Sequence, residues 1–199
     1  MEVTTLINLQ AKYNFTTDKG NTHSYLEYYD VIFAPFKTRD INLIEVGVQS
    51  GGSLLLWHKY FSQNSKIFGF DINQKHVDGF NILAGEQRVN NASAFCSDAY
   101  IFDYDTLEPK HFDIIIDDGS HHLECQQKAV NVFINKLTSG GIFIIEDITP
   151  ENLQYFVELA KVTPNSEVVD RRHLPPYRYD DILFVFKNVE RQVGIEPTI

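Results

Sequence analysis

Phe112-Asp113-Ile114-Ile115-Ile116-Asp117-Asp118-Gly119-Ser120-His121 is the stretch whose reading decides the fold. Its three consecutive isoleucines do not alternate with polar residues, as they would in a strand with one wet face. A continuously apolar strand is buried on both faces, which is the place of a strand inside a parallel sheet flanked by helices. Gly141-Ile142-Phe143-Ile144-Ile145-Glu146 reads the same way. Between the two, Leu123 to Leu137 has a helical pattern, with Ser139-Gly140-Gly141 as its stop.

The same alternation extends outward. Upstream, Asn42-Leu43-Ile44-Glu45-Val46 predicts a strand closed by Gly47, Ser53 to Phe61 a helix, Lys66 to Ile72 a second strand and Ala92 to Ala99 a third. Downstream, Glu151 to Lys161 predicts a helix. Ser166–Asp170 and Asp180–Lys187 flank a loop with Pro175-Pro176, too short for a crossover helix, so these two strands are expected to pair antiparallel at one edge. Strand and helix in alternation mean a doubly wound, Rossmann-like α/β fold. Residues 1–40, rich in Tyr, Thr and Asn, read as an N-terminal cap contributing to the active site. Residues 41–190 read as the main unit of one domain.

Composition narrows the function. The 199 residues carry a net charge of −10, which repels phosphate backbones and argues against nucleic acid. The one basic run, Arg171-Arg172-His173 with Arg178 nearby, is flanked by acids and reads as a solvated loop. Cys96 and Cys125 form no spacing motif, so neither a disulfide framework nor a zinc site is expected. No signal peptide and no membrane-spanning stretch is evident, and the reading is a soluble cytoplasmic protein.

Ligands of open α/β sheets bind beyond the carboxyl ends of the strands. Those ends carry Glu45 and Gly47, Asp71, Asp98, Asp117 and Asp118, and Glu146 and Asp147. A cluster so acidic either repels itself or holds a cation. Glu45 to Ser53 forms a glycine-rich turn, and Asp71 lies 24 residues past Gly47, where an acid can grip ribose hydroxyls. The spacing is not GxGxxG, and Glu45 would repel a pyrophosphate while suiting an amino group or a sulfonium. That favours S-adenosylmethionine over NAD. Asp98-Ala99 then falls near the adenine, unless Asp98 is a helix cap. Asp118, Glu146 and Asp147 are expected to converge as oxygen ligands for Mg²⁺ or another divalent cation. His121, three residues past Asp118, is placed to take a proton. Asp117 and His122 have the blander reading of a cap and a packed neighbour.

Together these residues resemble the macrocin O-methyltransferase family, the magnesium-dependent sugar O-methyltransferases of macrolide biosynthesis. The resemblance runs from about Asp18 to Lys187. It rests on Thr17-Asp18-Lys19-Gly20 with His23-Ser24-Tyr25, Ile44-Glu45-Val46-Gly47 with Gly51-Gly52-Ser53-Leu54 and Trp57, and Gly69-Phe70-Asp71-Ile72. Gly85-Glu86-Gln87, Ile116 to His121, and Gly140-Gly141 leading to Glu146-Asp147 complete it. It implies a class I methyltransferase fold, a seven-stranded sheet with an antiparallel last strand. It further implies that Glu45, Gly47 and Asp71 hold the cofactor, that Asp118, Glu146 and Asp147 bind the metal, and that His121 is the base; the expected cofactor site as a whole adds Ser53, Ile72, Asp98, Ala99 and Asp117. The acceptor would be a hydroxyl of a sugar or glycosylated small molecule, with a catechol as runner-up, and a homo-oligomer is admissible. Two other classes compete: a nicotinamide-dependent oxidoreductase, and a non-catalytic subunit that only binds S-adenosylmethionine.

Overall fold

A computed structural model describes residues 4–108 and 111–189. Seven strands form one sheet: β1 (Asn42–Val46), β2 (Lys66–Asp71), β3 (Ala92–Cys96), β4 (Phe112–Asp117), β5 (Leu137–Ile145), β6 (Ser166–Asp170) and β7 (Ile182–Lys187). Their order across the sheet is β3-β2-β1-β4-β5-β7-β6. The first five run parallel, and β7 is antiparallel to both β5 and β6. The two C-terminal strands thus pair as their sequence predicts. β7 inserts between β5 and β6, however, so β6 forms the edge. The insertion follows composition: Ile182-Leu183-Phe184-Val185 is fully buried, whereas β6 keeps only partly buried or exposed positions.

Among the described residues six α-helices cover the sheet: α1 (Leu6–Tyr13), α2 (Tyr25–Phe33), α3 (Gly52–Tyr60), α4 (Gln74–Glu86), α5 (Leu123–Phe133) and α6 (Pro150–Val162). One core packs Leu43, Ile67, Ile114, Ile116, Ile142 and Ile144 against α1 to α4. The opposite one packs Ile44, Ile115, Phe143, Ile145 and Phe184 against Phe133 of α5 and Phe156 of α6. Alternate residues of β4 therefore enter opposite cores, as the unbroken isoleucine run requires.

Local chemistry sets the element ends. Thr5 caps α1 by accepting a hydrogen bond from the Asn8 N–H, and Asn14 closes the helix in the left-handed conformation. α6 opens with Pro150 just past Thr149, has Glu151 in its first turn and Lys161 in its last. Several boundaries depart from the sequence expectation, two of them at element C-termini by three residues or more. α5 stops at Phe133 instead of Leu137, because residues 134–136 tighten into a 3₁₀ turn and Leu137 already pairs with Phe112 at the start of β5. The third strand ends at Cys96, three residues short of Ala99.

The N-terminal cap is integral to the core. Leu6, Tyr25, Tyr29 and Phe33 are completely buried, and each such side chain contributes about 1.5–3 kcal/mol through removal of apolar surface from water. Tyr29, Phe33 and Trp57 stack and cross one another, joining α2 to α3. Among the described residues no helix is long and apolar enough to cross a membrane.

Candidate active site

A cleft of about 360 Å³ opens beyond the carboxyl ends of β1, β2 and β4, within the size range of small-molecule sites. Its inner wall is the turn after β1. Gly47 has φ +93° and lies so close to the Asp118 carbonyl that a Cβ would come within 2.1 Å of its oxygen. Only glycine lets these two loops touch. Gly52 is equally constrained: an added Cβ would sit 2.4 Å from the Thr16 carbonyl carbon. The cap segment thus crosses directly over the start of α3, and Thr16, Thr17 and Asp18 line the cleft.

Asp71 faces the cleft but already organises its neighbourhood. Its Oδ2 accepts from the Val48 and Gln49 N–H groups at 3.0 and 3.1 Å, and its Oδ1 from the Asn73 N–H at 2.8 Å. His76 Nδ1 lies 3.0 Å from Oδ2. Partial burial works against ionisation here, yet the Asn73 and Gln49 N–H bonds, with His76 and Val48, hold the carboxyl below its ordinary value. Gly47, Ser53, Ile72, Asp98 and Ala99 also line the cleft. Asp98 accepts from the Tyr100 N–H in a turn and caps no helix, which removes the capping alternative for it.

The acidic ends of β4 and β5 form the floor. Asp118, His121 and Asp147 each present one donor atom, and these atoms lie within 4.8 Å of one another. His121 is partly exposed, with its Nε2 3.8 Å from Asp147 Oδ2. Asp147 adopts φ +53°, a left-handed conformation that is uncommon outside glycine and clusters at functional sites. The Tyr25 hydroxyl donates to Asp147 Oδ1 at 2.6 Å, and His23 Nδ1 sits 3.4 Å from the same oxygen. His23 is itself held by Asp181 at 2.6 Å.

Three expected site residues lie elsewhere than expected. Glu45, Asp117 and Glu146 are buried beneath the cleft and do not line it. Glu146 is engaged at both oxygens, by the Lys19 ammonium at 2.8 Å and the Tyr29 hydroxyl at 2.7 Å. Glu45 Oε2 accepts from the Trp57 indole N–H at 2.9 Å. Its Oε1 has no hydrogen-bond donor and faces Lys19 Nζ at 3.3 Å, a purely Coulombic contact. Asp117 accepts from the Tyr100 hydroxyl at 2.8 Å through one oxygen, while the other has no partner. Burial pushes its carboxyl up to about 7. Burial likewise raises Glu45 and Glu146, although Lys19 opposes the rise in both.

Part of the cation that these acids call for is supplied by the chain itself, as Lys19. Its side chain is 1% exposed, and it also donates to Asp118 Oδ2 at 2.6 Å. Burial alone would lower the lysine pKa; the charges of Asp118, Glu146 and Glu45 instead carry it well above the ordinary value. Sequence reasoning assigned no role to Lys19, Tyr25 or Tyr29. The tyrosines carry one usable signal, a four-residue spacing that sets both hydroxyls on one face of α2.

The methyltransferase domain family matches residues 37–175. The chain is 34% identical over 141 residues to an 8-demethyl-8-alpha-L-rhamnosyl tetracenomycin-C 2'-O-methyltransferase of Streptomyces olivaceus, covering 66% of this chain and 35% of that one. It is 30% identical over 151 residues to the mycinamicin VI 2''-O-methyltransferase of Micromonospora griseorubida, covering 72% and 36%. The chain thus spans about a third of the length of these curated relatives. Among solved structures, the MycE methyltransferase of the mycinamycin pathway, in complex with Mg and SAH, superimposes with a TM-score of 0.68 at 22% identity, covering 99% of this chain and 58% of that one.

Proposed function

Because the chain belongs to the methyltransferase domain family, we propose that it transfers the methyl group of S-adenosylmethionine to a hydroxyl of a sugar or glycosylated small molecule, with help from a divalent cation. The observation that carries this reading is the meeting of Asp118, His121 and Asp147 beside a cleft that begins at a glycine turn and Asp71. The named activities of the relatives, all sugar O-methylations among those described above, support the acceptor class.

The residues fit both groups. The cleft has room for a nucleoside, and Asp71 offers a carboxylate at the end of β2, where ribose hydroxyls are bound in such folds. S-adenosylmethionine supplies an activated methyl on a sulfonium. Asp118 and Asp147 offer hard oxygen donors for a Mg²⁺-like ion. When bound, such an ion supplies positive charge that positions a hydroxyl and eases loss of its proton.

The remaining work falls to the chain. Tyr25 and His23 fix the Asp147 carboxylate on one side and leave its Oδ2 toward His121. His121, exposed to the cleft, receives the acceptor proton as the methyl arrives. The cap segment at Thr16–Asp18 walls the cofactor side of the cleft. Placing both reactants in one cleft removes most of the entropic barrier to their encounter.

Calorimetric titration with S-adenosylmethionine, with and without Mg²⁺, tests the proposal. Saturable one-to-one binding is expected, and no binding under either condition would defeat it. Titration with NADH is expected to give no heat. Asp71→Ala should weaken S-adenosylmethionine binding by about 1.5–3 kcal/mol, the range for a hydrogen bond to a charged group. Unchanged affinity in that variant would remove Asp71 from the site. A scrambled glycine turn is a separate outcome, read from a lowered melting temperature, because Asp71 also anchors Val48 and Gln49.

A further inference from the structure

We propose that Lys19 is a built-in cation for the inner half of the carboxylate cluster, occupying a place that a second metal ion would otherwise take and limiting the cleft to one. The proposal deepens the metal reading given above and rests on it.

Oxygens from three strand ends converge on one nitrogen. Asp118 follows β4, Glu146 follows β5 and Glu45 lies in β1, at 2.6, 2.8 and 3.3 Å from Lys19 Nζ. Several carboxylate oxygens gathered from separate elements around one point is the environment that a hard cation receives in proteins. Here the point is filled by an ammonium carried on the segment between α1 and α2. The other oxygens of the inner acids are spoken for, by Tyr29 on Glu146 and by Trp57 on Glu45. Glu45 Oε1 faces the ammonium at 3.3 Å. What remains open toward the cleft is the outer group of Asp118, His121 and Asp147.

Charge counting gives the same division. Glu45, Asp118, Glu146 and Asp147 are four potential anions within one small volume, and Lys19 is the only lysine or arginine making an ion pair with Glu45, Asp118 or Glu146 among the described residues. With Lys19 in place, one divalent ion nearly balances the fully ionised cluster. Without it, the balance calls for two. The cap segment is fixed by the Gln10 amide donating to the Thr17 carbonyl at 2.7 Å. Docking of the cap and adjustment of the cleft's charge are therefore one event.

The test uses Mn²⁺ as probe, with bound and free ion counted by electron paramagnetic resonance, and needs no methyl transfer. The wild-type chain should bind one Mn²⁺. Lys19→Met should bind two, or one at least about tenfold more tightly, because a positive charge a few ångströms from the ion has gone. If Lys19→Met does not hold its fold in metal-free buffer, Mn²⁺ should restore its circular dichroism. Leu26→Ala, which loosens the same cap without touching the cluster, should gain nothing comparable. A Lys19→Met protein that binds a single Mn²⁺ at wild-type affinity overturns the proposal. So does one that stays unfolded with the ion, or equal rescue of both variants. Should the wild type bind no Mn²⁺ while Lys19→Met does, the metal-assisted reading of the wild-type cleft falls, and the limit of one ion falls with it.

Discussion

Stripping divalent cations with a chelator is expected to lower methyl transfer by about three orders of magnitude, with Mg²⁺ restoring it, since a bound ion at such a site contributes several kcal/mol to the transition state. The expectation rests on Asp118 and Asp147, which approach from the ends of neighbouring strands and keep donor atoms within 4.8 Å of each other and of His121. Burial, followed by the Asp118 charge, raises the Asp147 carboxyl, and His23 and Tyr25 offset this only in part. Asp147→Asn removes one anion while keeping the hydrogen-bonding shape toward Tyr25. It should depress Mn²⁺ affinity and activity together, leaving S-adenosylmethionine binding within a few fold. Full turnover in excess chelator would refute the metal requirement. Loss of activity in Asp147→Asn with unchanged Mn²⁺ binding would instead move that carboxylate from the metal to the acceptor.

His121→Ala is the second large effect. A positioned base contributes about 10²–10⁴-fold to turnover, and kcat should fall by that much while cofactor and metal affinities stay near wild type. His121 is 43% exposed in its side chain and lines the cleft, so added imidazole can reach the vacated space and should restore part of the lost rate. The same ring is close enough to Asp118 and Asp147 to serve as a third ligand. A ligand role has a different signature: Mn²⁺ affinity falls at least about tenfold, as when one donor of a metal set is lost, and imidazole then acts by restoring that affinity. Normal turnover in His121→Ala, with a defect in His122→Ala, would place the base one residue later.

The isoleucine runs of β4 and β5 made the sheet legible, because burial on both faces leaves no reason for polar alternation. The strand-end acids were legible too, since a buried parallel strand that terminates in Asp or Glu needs something at that end to answer it. The sequence did not reveal which acids face the cleft. Glu146 and Asp147 are adjacent, yet Glu146 turns inward to Lys19 and Tyr29 while Asp147, at positive φ, turns outward. That choice depends on partners 127 and 117 residues away for Glu146, and no local pattern records them. The helix Gln74–Glu86 is faint for another reason. It buries only Val77, Phe80 and Ala84 and contains Gly79 and Gly85, so both its apolar stripe and its intrinsic propensity are weak.

The long reach of these contacts also bears on the order in which the molecule can be made. Lys19 meets Asp118 and Glu146 across 99 and 127 residues, and His23 meets Asp181 across 158. During synthesis residues 1–40 emerge before Asp118, Glu146 and Asp181 exist, and ordering Lys19 and His23 early brings entropy loss without the reward of these pairs. The last of these contacts, His23 with Asp181, can form only after the chain has grown past β6. A nascent chain released before Asp181 would carry the glycine turn, most of the sheet and the partners of Lys19, but not the carboxylate that holds His23 and, through it, one side of the Asp147 position.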